Sequence, residues 1–122
     1  MQATEKLNAK YDVGTGAALI DLTVTIGQGC TGPISVYLDG DHNASGANEI
    51  TTTLGTADAV KNKLVEVFST SNQPTGGSPV ASVTYHFEGG PNPGRFTNPP
   101  DGKSQPFGTD REVQFDDSFT MS

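Results

Sequence analysis

Along Leu19–Ile26, LIDLTVTI, the apolar residues Ile20, Leu22, Val24 and Ile26 alternate with Asp21, Thr23 and Thr25. A strict period of two places alternate side chains on opposite faces of a strand, so this stretch reads as a half-buried member of an antiparallel sheet. The same period returns in ISVYL, with Ile34, Val36 and Leu38 inward, and in EITTTLG, with Ile50, Thr52 and Leu54 inward. It returns again in VASVTYHFEG, where Ala81, Val83, Tyr85 and Phe87 share a side, and in EVQFDDSFTM, which offers Val113, Phe115, Phe119 and Met121.

TADAVKNKLVEVFSTS fits two periods. As a helix, Thr56 is an N-cap and Ala57, Val60, Leu64 and Val67 or Phe68 form one stripe. As a strand, KLVEVFSTS is rich in β-branched and aromatic residues, with Val65 and Val67 on one face and Leu64 and Phe68 on the other. The flanking strands favour a strand starting near Lys63.

Five or six short strands separated by Gly, Pro, Asn and Ser turns predict an all-β fold, an antiparallel β-sandwich. The alternatives are a partly open β-barrel, or a sandwich with one short helix near 57–67. No βαβ alternation occurs, which argues against a nucleotide-binding α/β sheet. The expected organisation is a single β-domain over 1–122, with a polar N-terminal segment 1–12 and a long Pro/Gly-rich loop or arm over 88–108. That arm holds five Pro and five Gly and shows neither period. Irregular loops of this length are uncommon in compact domains and tend to be functional or disordered.

Composition narrows the reading. Val, Ile, Leu and Phe make up about a fifth of the chain, so the core is thin and the connections are polar. The net charge is −7, and no Lys or Arg occurs between Tyr11 and Val60. Binding to a phosphate backbone needs clustered cations, so no nucleic-acid partner is expected. One cysteine, Cys30, leaves no internal disulfide to form. No apolar run is long enough for a signal peptide or a membrane span, giving a soluble chain with no membrane partner, cytoplasmic by default; an export signal already removed would leave no trace.

The chemistry on offer is sparse. In LDGDHNASGANE, Asp39, Asp41 and Asn43 stand at the spacing of a calcium loop, with Asn48 and Glu49 as further oxygen donors. An EF-hand would need Gly where Ala44 stands, a bidentate Glu where Ile50 stands, and flanking helices. The surviving possibility is an irregular Ca²⁺ cage, set against a plain polar connection between two strands. NAS at Asn43–Ser45 is a glycosylation sequon and marks an exposed loop. DGKS at Asp101–Ser104 lacks the Gly a P-loop needs five positions earlier, where Thr97 stands. VGTGAAL ends on Leu19 instead of the third Gly of a dinucleotide fingerprint. Cys30, His42 and His86 lack zinc-ligand spacing, and no G-x-S-x-G elbow occurs.

The leading functional expectation is a non-catalytic protein–protein interaction or self-assembly module. It would present the arm, with Arg95, Phe96 and Phe107 as anchors, to a protein partner or to its own copies. The bland alternative is that Phe96 and Phe107 only pin the arm to its own core. A second reading is a small carbohydrate- or calcium-binding β-domain using Asp39, Asp41 and Asn43; the chain has no Trp to stack a sugar on. A third is a small enzyme pairing Asp39 or Asp41 with His86.

Overall fold

The computed structural model describes residues 2–3 and 6–122. Its strands in chain order are β1 (Gln2–Ala3), β2 (Asn8–Tyr11), β3 (Leu19–Ile26), β4 (Pro33–Leu38), β5 (Asp41–Ala47) and β6 (Glu49–Thr56). A single helical turn, α1 (Ala57–Val60), precedes β7 (Leu64–Asn72), β8 (Val80–Ala81), β9 (Val83–Glu88), β10 (Gly94–Asn98), β11 (Gln105–Pro106) and β12 (Glu112–Met121). One sheet runs β12, β7, β4, β5, with β1 and β2 both parallel to β12 along its outer edge. A second runs β10, β9, β3, β6, and β11 pairs with β8 in a small ribbon. The sheets are antiparallel apart from the N-terminal strands and do not close into a barrel, as the sandwich reading expects.

The core follows from the alternation. Ile20, Leu22 and Val24 of β3, Val83, Tyr85 and Phe87 of β9, and Phe115, Phe119 and Met121 of β12 are all fully buried. The strand reading holds from Leu64, next to the expected Lys63, while of the helix reading only the Thr56 cap and the turn Ala57–Val60 form, its Leu64, Val67 and Phe68 lying in β7. Thr56 Oγ1 accepts from Ala59 N at 3.2 Å and caps α1, and β7 then begins at Leu64 with Val65 and Val67 inward. The helix stops after one turn because Asn62 adopts φ 68 and its N–H donates to Met121 O, outside any helix.

Two expectations are corrected. The polar connection over Leu38–Glu49 is two strands and a tight turn. Asp39 (φ 48) and Gly40 (φ 84) form the two left-handed positions of a hairpin that pairs Leu38 with Asp41. The Asp-Gly pair is the signal for it, masked by the polarity of residues 41–49. β5 is nearly devoid of large apolar residues and is a strand because β4 supplies its hydrogen-bond partners. At Asn48 (φ 70) the chain crosses to the other sheet, held by Asn48 N to Gly32 O (2.9 Å), Gly32 N to Asn48 Oδ1 (3.0 Å) and Ile26 N to Asn48 O (2.9 Å). Gly40→Ala places a side chain at a φ only Gly adopts freely and is expected to cost about 1 kcal/mol, read as a lowered urea midpoint.

The second correction concerns 88–108, which is not a structureless arm. Gly94–Asn98 is the edge strand β10, in register with β9 from Gly94↔Phe87 to Asn98↔Val83, and Gln105–Pro106 pairs with β8. Prolines flank β10 and leave its ladder intact, while Pro106 is itself one of the two residues of β11. Of the polar segment 1–12, Met1, Thr4 and Glu5 lie outside the described residues. Asn8–Tyr11 is β2, and Leu7, Ala9 and Tyr11 alternate toward the core.

Candidate interaction surface

In β12 the inward positions run Val113, Phe115, Asp117, Phe119, Met121, so strict alternation drives a carboxylate into the core. Asp117 is fully buried. Its Oδ1 accepts from Leu7 N at 2.9 Å and from Asn98 Nδ2 at 2.8 Å, and its Oδ2 accepts from the buried Tyr85 hydroxyl. One carboxylate thus ties together the N-terminal segment, β12, β9 and the end of β10. Burial pushes its carboxyl above the usual range, while the bonds from Tyr85, Leu7 and Asn98 pull the other way. The Tyr85 hydroxyl is pushed well up, first by burial and then by the charge of Asp117, so it stays a donor. This network shows in the sequence as an acid at the fifth position of a period-two run, a signal the hydrophobic pattern alone passes over.

Above this network lies the flank where β2 and β10 approach each other. The Tyr11 ring stacks on Phe87 at 5.0 Å and its oxygen accepts from Gly90 N at 3.0 Å. It also lies flat against Gly94, where a Cβ would stand 2.5 Å from Tyr11 Cδ1, so β10 needs glycine there. Asn98 joins Pro99 through a cis peptide bond, and the chain turns at Pro100–Lys103. Three clefts surround this turn. One of about 400 Å³ is lined by Leu7, Arg95, Phe96, Thr97, Pro100 and Asp101. A second of about 210 Å³ includes Lys6, Leu7, Pro99, Lys103 and Ser104. A third of about 210 Å³ includes Gln28, Ser82, Pro99, Asp101 and Lys103. Lys6 is paired with Asp116 at 3.0 Å, whereas the Arg95 guanidinium and the Lys103 ammonium have no partner among the described residues.

The three residues expected to anchor a partner divide. Arg95 is exposed on the outer face of β10, opposite His86. Phe96 points inward, its ring 5.3 Å from Phe119 and 6.0 Å from Phe87, and Phe107 packs against the same core. Both phenylalanines are partly buried against the core, and Phe96 also lines the largest of the three clefts described above.

The oxygen donors expected to hold a cation are turned to separate partners. Asp39 Oδ1 accepts from Leu64 N at 2.8 Å, and Asp39 N donates to Leu64 O at 2.8 Å, stapling the hairpin to β7. Asn43 sits at a register shift in β5 and donates to Thr52 Oγ1 at 2.9 Å. Asp41 is exposed beside the turn, and Glu49 accepts from Thr25 Oγ1 at 3.2 Å. Among the described residues no three His, Cys, Asp or Glu side chains gather as a metal would require. His86 stands on the outer face of the second sheet, 3.6 Å from Glu88, while Asp39 and Asp41 belong to a hairpin of the first, so the acid–base pair is not assembled. His42 packs edge-on to Tyr37 at 5.5 Å. No family model, no curated protein and no solved structure matches this chain.

Proposed function

We propose that this chain is a non-catalytic interaction module that binds an acidic protein segment, or another copy of itself, on the flank around Pro99–Pro100. The observation carrying this reading is that three adjoining clefts share the Asn98–Ser104 turn, with two unpartnered cations, Arg95 and Lys103, on a chain whose net charge is −7. Leu7, Phe96, Pro99 and Pro100 give the clefts apolar walls, and cations beside apolar walls suit a segment that alternates acids with apolar residues. The Asp117 network supports the reading by fixing both walls, through Leu7 N on one side and Asn98 on the other, so that the surface needs no reordering on binding.

Because β10 lies inside it, the 88–108 segment cannot be removed without losing a strand, and point changes are the sharper probe. An acidic decapeptide with interspersed leucines, titrated into the protein, is expected to move the amide resonances of Leu7, Arg95, Thr97 and Lys103. Arg95→Glu with Lys103→Glu is expected to abolish those shifts at unchanged Tm. Shifts scattered over the whole surface, or equal shifts with a lysine-rich control peptide, would refute the proposal.

A further inference from the structure

The sandwich has two flanks, and the open edges of both sheets lie on each. On one flank a single stretch, Asp41–Thr56, supplies the outermost strand of the first sheet as β5 and of the second as β6. On the other flank the outermost strands are β1 and β2, end to end along β12, in the first sheet and β10 in the second. An open edge offers a row of unpaired backbone N–H and C=O groups, and proteins that stay monomeric usually blunt it.

The charges on these edges are segregated by flank. β5 and β6 carry Asp41 and Glu49 and no Lys or Arg; β2 and β10 carry Lys10 and Arg95 and no acid. Lys10, Arg95 and Asp41 have no partner among the described residues. Charges that served only to keep edges apart would do so best with one sign on both flanks, since copies would then repel whichever way they met. Opposite signs on opposite flanks leave each flank complementary to the other.

Strand directions agree. From β2 to β5 there are one parallel and three antiparallel steps, so β2 and β5 run in opposite directions. From β10 to β6 there are three antiparallel steps, so these also oppose. Setting a second copy beside the first in the same orientation therefore makes both new junctions, β5 to β2 and β6 to β10, antiparallel. In the second junction Glu49 and Arg95 project from the same outer face, because Glu49 pairs with Thr25 and Arg95 with His86, both outward on their strands.

We propose that copies of this chain associate side by side, the Asp41–Thr56 flank of one against the β2 and β10 flank of the next, so that both sheets run on through the assembly. This rests on the self-assembly half of the reading above and names its partner surface. The contact is heterologous, and each copy leaves one flank of each kind free, so growth gives an open filament, or a ring where the sheet twist closes it.

Sedimentation velocity of the full chain over a concentration series tests it at low and at high salt. Mass rising with concentration, and less so in high salt, is expected. Two charge-reversed proteins then decide the geometry: Asp41→Lys with Glu49→Lys on one flank, and Lys10→Glu with Arg95→Glu on the other. Each alone faces like with like and is expected to associate at least about tenfold more weakly than the wild type. Mixed in equal amounts they present complementary flanks again and are expected to regain mass. Circular dichroism and Tm confirm that each folds. A wild type that stays at monomer mass throughout, variants that associate like the wild type, or a mixture that stays monomeric each overturns the proposal. A monomeric wild type leaves the peptide titration free to succeed by itself, so the two readings fail separately.

Discussion

Asp117→Ala is expected to destabilise the protein more than any other single change considered. The substitution takes their shared acceptor from the buried Tyr85 Oη and Asn98 Nδ2 and from the part-buried Leu7 N. The buried Tyr85 hydroxyl loses its acceptor at about 1–3 kcal/mol and the bonds from Leu7 and Asn98 add about 1 kcal/mol each, of which the removal of a desolvated charge returns part, so the net loss is about 3 kcal/mol. Against a total stability of about 5–15 kcal/mol the change consumes a large share of the fold. Tyr85→Phe should cost less, about 1–2 kcal/mol, because it removes one donor and leaves two on the carboxylate. Urea melts of the two variants and of the double variant give the coupling; purely additive losses would show that the carboxylate and the hydroxyl do not act together.

The same group sets a pH dependence whose sign is fixed by the direction of its shift. Burial raises the Asp117 pKa in the folded protein above its unfolded value, so between those two values the native state holds more protons than the unfolded chain. Stability contributed by this group is therefore greatest below the unfolded value of about 3.9 and falls as the pH rises through the folded one. Subtracting the urea midpoints of Asp117→Asn from those of the wild type across acidic pH should isolate that fall. Parallel curves would mean that Asp117 titrates no differently in the two states.

Asp117 also shows where the sequence was legible and where it was not. Period two located β3, β9 and the two halves of β12, because Val, Ile and Phe at alternate positions leave few other arrangements that bury them. The residue between Phe115 and Phe119 follows by the same arithmetic, yet an acid there reads as a break, since its three donors come from Leu7, Tyr85 and Asn98, 110, 32 and 19 residues away. β5 and β10 escaped for a related reason. Asp41–Ala47 offers no apolar face, and Gly94–Asn98 offers only Phe96, so each is a strand through the backbone bonds of its neighbour. Conversely, the mixed signals at 56–68 were real, since a cap and a strand signature follow each other within thirteen residues. Within 88–108 the composition alone left Phe96 either outward or against the core, because that depends on which face of β10 points inward; the strand register places its ring beside Phe87 and Phe119.

The placement of Phe96 and Arg95 on opposite faces of β10 is testable with these two neighbours. Phe96 is half-buried and lies within ring contact of Phe87 and Phe119, so Phe96→Ala opens a gap in the aromatic cluster beneath the cleft and is expected to cost about 2–3 kcal/mol. Arg95, one position earlier, is exposed and unpartnered, so Arg95→Ala should change stability by less than about 0.5 kcal/mol. Binding of the acidic peptide should respond in the opposite order, with Arg95→Ala weakening it directly. Phe96→Leu, which keeps most of the apolar volume, should leave binding near the wild-type level. If Phe96→Ala melts like the wild type while abolishing binding, the ring is a partner contact and not a core residue, and the cleft must open on binding to release it.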